Sequence, residues 1–130
     1  MLRSTLLIAI CVIASAAAFG QDDAAYQGYM KAVGPSFGPL RMAVMAKDTA
    51  GAAAAAAKLE ATFNEVLAYW QKKNVADAIT FATNARDAAK AIAGSNNADA
   101  QAASLMTLQQ QCGGCHMAHR AGTPGNFTIK

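Results

Sequence analysis

The sequence predicts an all-α protein, an antiparallel up-down-up-down four-helix bundle. Three observations predict it. The 130 residues hold 33 alanines against 5 Phe, 3 Tyr and 1 Trp, a composition that suits helices rather than sheets. Apolar residues recur at helical spacing in four segments. The connections between those segments are a few residues long, which makes consecutive helices antiparallel neighbours. No strand pattern and no internal repeat competes with this reading. The chain is long enough for one domain and too short for two.

Met1-Leu2-Arg3 carries a positive charge, Leu6 to Val12 is continuously apolar, and Ser15-Ala16-Ala17-Ala18 supplies small residues. This is the three-part build of a cleaved signal peptide over residues 1–20. Its apolar stretch is shorter than the roughly 20 residues a spanning helix needs. The expected mature chain, 21–130, is exported to the periplasm and has no membrane anchor. The three cysteines of the whole chain cannot form a closed disulfide framework, and the mature chain retains two, Cys112 and Cys115.

Helix one is expected from Asp23 to about Lys47, capped by Asp22 or Asp23. It contains Gly34-Pro35-Ser36-Phe37-Gly38-Pro39, and two prolines four apart predict a kink or brief break. Helix two is expected from about Thr49 to Lys73. Its run Ala52 to Ala57 reads as a tightly packed face, followed by Leu59, Phe63, Val66, Leu67 and Trp70 at helical spacing. Helix three is expected to start at Asn74 as N-cap and end near Gly94, with Val75, Ile79, Ala82, Ala89 and Ala93 on one side. Helix four is expected from near Asn97 to about Ala121, where Gly122 stops it and Pro124 follows. Its stripe is Leu105, Leu108, Cys112, Cys115 and His119. Alanine buries little apolar area, so the core is thin.

Charge excludes one broad class. With 11 Lys+Arg against 8 Asp+Glu, the net charge is +3. The basic residues are scattered, and no basic run exceeds two, so nucleic acid is not a partner. Lys31, Arg41, Lys72 and Lys73 are candidates for docking an acidic protein.

Cys112-Gly113-Gly114-Cys115-His116 carries the chemistry. C-x-x-C-H is the attachment signature of covalent haem c. Two thiols add across the two vinyl groups of the macrocycle. On a helix, residues three and four apart share a side, so Cys112, Cys115 and His116 project together and the imidazole lies beneath the iron. Gly113 and Gly114 leave the backbone free to approach the ring. Zinc on Cys112, Cys115, His116 and His119 is a weaker reading, because adjacent Cys115 and His116 do not converge as tetrahedral ligands. A dithiol oxidoreductase places its motif at a helix N-terminus to favour the thiolate, whereas this one lies near a C-terminus.

An alanine-rich four-helix bundle with C-x-x-C-H in its last helix resembles the class II c-type cytochromes, the cytochrome c-prime family. The run Cys112 to Arg120 is similar to that family's ending, C-x-x-C-H-x-x-aromatic-Arg, with His119 in the aromatic position. Tyr29-Met30-Lys31-Ala32-Val33-Gly34 resembles the first helix of low-spin members, in which a Met is the sixth ligand. The resemblance implies an electron carrier rather than an enzyme, with one covalent haem c and redox partner proteins. Relatives often form homodimers, and an alanine-rich exposed face would permit one.

Position along the bundle also selects Met30 as the ligand opposite His116. Met106 and Met117 share the helix of His116. In antiparallel helices Met30 and His116 both lie roughly 8–11 Å from the same end of the bundle, whereas Met42 and Met45 lie about 18–22 Å further along. The metal ligands expected are therefore His116 and Met30, with Cys112 and Cys115 binding the cofactor. The alternative is a five-coordinate haem that binds nitric oxide or carbon monoxide, with Met30 only packing over the distal face.

Overall fold

The computed structural model describes residues 14–130, with side chains from residue 22 onward. The apolar core of the expected signal peptide, Leu6 to Val12, lies outside the described residues. Four helices pack against one another: α1 (Ala14–Met45), α2 (Thr49–Lys73), α3 (Ala76–Ala93) and α4 (Ala98–His119). They are followed by a two-stranded antiparallel hairpin, β1 (Arg120–Thr123) and β2 (Asn126–Ile129). The helical bundle is as expected, but the hairpin is not. None of the helices among the described residues is long and apolar enough to cross a membrane.

The start of α1 departs from expectation. The helix begins at Ala14, so neither Asp22 nor Asp23 caps it. Both instead reach the last turn of α2. Lys72 Nζ lies 2.7 Å from Asp22 Oδ2, and Lys73 Nζ lies 2.9 Å from Asp23 Oδ1. The cations suit the negative end of the α2 dipole. Nor do the prolines break α1, since the helix is continuous through Pro35 and Pro39. Each proline follows a glycine, Gly34 or Gly38. The steric conflict that drives a residue before proline out of the helical region involves its Cβ, and glycine has none.

The other termini obey local chemistry. Asp48 caps α2, its side chain accepting from the Gly51 N–H at 2.9 Å. Asn74 closes α2 in the left-handed conformation, φ 55° and ψ 43°, and Val75 precedes α3. Asn74 was expected to start α3. In a two-residue connection a residue that tolerates left-handed backbone serves the preceding helix. Asn97 caps α4 as expected, accepting from the Ala100 N–H at 2.9 Å.

The core sits mainly on α2 and α3. Leu59, Phe63, Val66, Leu67 and Trp70 are buried, as their spacing predicts. On α3 the deep face is Ala78, Ala82, Ala85, Ala88, Ala89 and Ile92, while Val75, Ile79 and Ala93 are only partly buried. Ala52, Ala55 and Ala56 on α2 are buried with them, and short side chains favour the lower end of interhelical distances. The interfaces of α2 with α3, α1 with α2 and α3 with α4 are extensive, whereas α1 and α4 touch only slightly.

At one end of the bundle Gln101 is a buried polar clasp. Its side-chain amide donates to the carbonyls of Thr49, Ile92 and Ser95 at 3.0, 3.2 and 2.8 Å. It ties the first turn of α4 to the start of α2 and the end of α3. The functional residues lie at the opposite end of α4, since Gln101 and His116 are separated by roughly 22 Å of helix.

Candidate cofactor site

The slight contact between α1 and α4 leaves room beside the C-x-x-C-H motif. A cavity of about 300 Å³ opens there, at the lower end of the usual size for small-molecule sites. From α1 it is lined by Tyr26, Met30 and Val33, with Lys31 also on the wall. Cys115, His116 and His119 face it from α4. A smaller cavity of about 20 Å³ adjoins them, lined by Cys112, Cys115, His116, Met30 and Tyr26 among others. The four residues expected at the site, Cys112, Cys115, His116 and Met30, are therefore brought together.

The competing methionines are not. Met42, Met45, Met106 and Met117 are 68%, 76%, 62% and 82% exposed, whereas Met30 is half-buried and packs on the core. Trp70 is buried behind the cavity and does not line it, and Phe37 packs elsewhere on the core.

The hairpin supplies a further wall. Gly125, Phe127, Thr128 and Ile129 line the cavity. The turn is Thr123-Pro124-Gly125-Asn126, with Gly125 at φ +87°. Proline followed by a glycine of positive φ is the composition of a type II turn. Gly122, at φ +88°, faces the Asn126 carbonyl so closely that a Cβ would overlap it. The Lys130 N–H donates to the His119 carbonyl at 3.0 Å, and the Arg120 guanidinium lies 4.1 Å over the Phe127 ring. The expectation that Gly122 merely ends a helix misses this wall. The Pro-Gly pair, with Phe127 and Ile129 alternating beyond it, is the sequence signal for a hairpin.

Burial sets the proton inventory. It pushes the Cys115 thiol up to about 11, helped by Cys112 and Asp77, and also raises Cys112. Thiols so disfavoured as thiolates are poorly suited to dithiol exchange. Both cysteines are free. Burial lowers the His116 pKa, and Arg120 adds to the effect. The imidazole stays neutral at neutral pH, the form that ligates a metal. Tyr26 is pushed up to about 12, chiefly by burial and then by Cys115.

His119 is held apart from this set. Its Nε2 lies 2.9 Å from Asp77 Oδ2, and its ring packs on Trp70. That bond, more than any other cause, lowers the Asp77 pKa. Zinc is not supported: among the described residues no three His, Cys, Asp or Glu side chains converge as metal ligands.

The two motif glycines differ in their surroundings. A Cβ on Gly114 would stand 2.6 Å from the Phe81 ring of α3, whereas one on Gly113 would meet nothing. Gly114 serves the packing of α4 on α3. Gly113→Ala should therefore stabilise the cofactor-free chain by about 0.5–1 kcal/mol through helix propensity. Gly114→Ala should destabilise it by roughly 1 kcal/mol, because overpacking outweighs the same gain. Thermal unfolding followed by circular dichroism checks the opposite signs.

Comparison of the chain with protein-family models, curated proteins and solved structures finds no match.

Proposed function

We propose that the chain is an exported, periplasmic monohaem c-type cytochrome that carries single electrons between redox partner proteins. What supports this most is that Met30 from α1 lines the same cavity as Cys115 and His116 from α4. The donor set fits haem c. Cys112 and Cys115 are unpaired thiols at the attachment spacing, His116 is neutral, and Met30 offers a thioether from a separate helix. Haem iron is held mainly by the nitrogens of its macrocycle, so no cluster of three protein ligands is required. When bound, the haem supplies one-electron chemistry, with a potential raised by His/Met ligation.

The chain's own residues have distinct tasks. Cys112 and Cys115 tether the group, His116 and Met30 hold its metal, and the apolar side chains of Val33, Phe127 and Ile129 limit water around it. Low solvent access and thioether ligation both tune the potential.

The test is a denaturing extraction. Acid-acetone should leave haem on the purified protein, and alkaline pyridine should give a c-type haemochrome. Complete loss of colour to the solvent overturns the proposal. A native spectrum that is high-spin and shifts on adding carbon monoxide replaces electron transfer with the gas-binding alternative.

A further inference from the structure

Four aromatic rings form one cluster between the cavity and the surface where α1 meets α2. Tyr26 lies 4.5 Å from Tyr69 and 5.3 Å from Trp70, centroid to centroid. Tyr69 and Trp70 are 5.0 Å apart, and Trp70 and His119 are 5.1 Å apart. Tyr26 and His119 line the cavity. On the far side the Tyr69 hydroxyl donates to Asp23 Oδ1 at 2.7 Å. In a chain whose core is largely alanine, these rings make a continuous path from cavity to surface.

The rings differ in where a proton can go. Trp70 Nε1 is buried without a well-formed hydrogen bond, its polar neighbour being the Tyr26 hydroxyl rather than a carboxylate, so oxidised Trp70 has no charged base to take its proton. Tyr69 is already bonded to a carboxylate. That bond, with Lys73, lowers the Asp23 pKa and keeps Asp23 ionised. We propose that Tyr69 and Asp23 form a redox-active tyrosine site, supplied through Tyr26 and Trp70 by a one-electron oxidant seated in the cavity. It rests on the haem reading only in that peroxide-treated haem is the natural oxidant.

The step balances. One electron passes from Tyr69 to the oxidant, which is reduced. The phenolic O–H bond breaks, and an O–H bond forms on Asp23. The products are a neutral phenoxyl radical and a neutral carboxylic acid. Lys73 Nζ stands 5.3 Å over the Tyr69 ring. A cation there opposes positive charge on the ring, so loss of the proton with the electron is what makes oxidation feasible. The oxidising equivalent reaches a partly exposed carboxylate, where a small-molecule reductant can quench the radical.

The experiment uses the full chain with Cys11→Ser and Cys112→Ser, carrying a photo-oxidising ruthenium complex on Cys115. Flash-quench should give a phenoxyl radical by electron paramagnetic resonance. Tyr69→Phe should abolish the signal, and Asp23→Asn should remove most of it by replacing the base with an amide. Tyr29→Phe should leave it intact. Far-UV circular dichroism establishes that each variant is folded, and Asp23→Asn changes only a partly exposed side chain. No radical in the parent chain, an undiminished signal in Tyr69→Phe, or an equal signal in Asp23→Asn overturns the proposal. The ruthenium label takes the place of haem, so this result is independent of the haem test.

Discussion

In the proposed haem protein, Met30→Ala should convert the iron from low toward high spin, admit carbon monoxide and lower the reduction potential. His116 and Met30 line one cavity from α4 and α1, so the substitution would take away the proposed thioether ligand without touching the thiols or the imidazole. Thioether ligation favours ferrous iron, and its loss favours ferric. The fall in potential should be on the order of 0.1 V, within the roughly 0.8 V over which axial ligands act. The near-infrared sulfur-to-iron band of the oxidised protein should vanish. Met42→Ala is the control, because Met42 is 68% exposed on the same helix and should leave both spectrum and potential unchanged. A redox titration with visible and near-infrared spectra reads all of this. A parent protein already high-spin, or one unmoved by Met30→Ala, overturns the assignment.

Gln101→Ala should cost about 3–5 kcal/mol of unfolding free energy. The side chain is 1% exposed, and its amide serves three carbonyls on separate segments. Truncation takes a side-chain donor from three carbonyls, of which Ile92 keeps the Ser95 N–H, at about 1–3 kcal/mol for an acceptor left unpaired, and it adds a void. Gln101→Glu keeps the shape but sets an acceptor against acceptors. It should be destabilised at neutral pH and partly recover as pH falls, because the protonated acid regains one donor. Urea unfolding at two pH values checks both variants. The haem spectrum of either, while folded, should match the parent, since the clasp is at the other end of the bundle from the cavity.

Much of this arrangement is legible without coordinates because periodicity and caps act locally. Leu59, Phe63, Val66, Leu67 and Trp70 announce the buried face of α2, and Asn97 announces the start of α4. C-x-x-C-H identifies three residues of the candidate site by chemistry. Met30 follows from counting turns along two helices. The misses arise where two local rules compete. Asn74 suits the end of one helix as well as the start of the next, and the two-residue connection decides it. Pro35 and Pro39 argue for a kink or a break, and the glycine before each removes the Cβ part of the conflict, so the helix runs on without a break. Gly122 reads as a helix stop, but α4 already ends at His119 and Gly122 lies inside β1, where its positive φ admits the close Asn126 carbonyl. The aromatic cluster was not legible at all, because Tyr26, Tyr69, Trp70 and His119 come from three helices and meet only through tertiary packing.

The alanine face shared by α2 and α3 also governs how the cofactor-free chain responds to temperature. Unfolding raises heat capacity mainly in proportion to the apolar area newly hydrated. Ala52, Ala55, Ala56, Ala78, Ala82, Ala85, Ala88 and Ala89 occupy buried positions that larger side chains fill in most bundles. Each releases a single methyl group to water. The increment per residue should fall below the roughly 12–15 cal/mol/K of ordinary domains. The stability curve is correspondingly broad and shallow. Such a chain loses little stability on cooling, and it resists denaturant with a gentle slope rather than a sharp one.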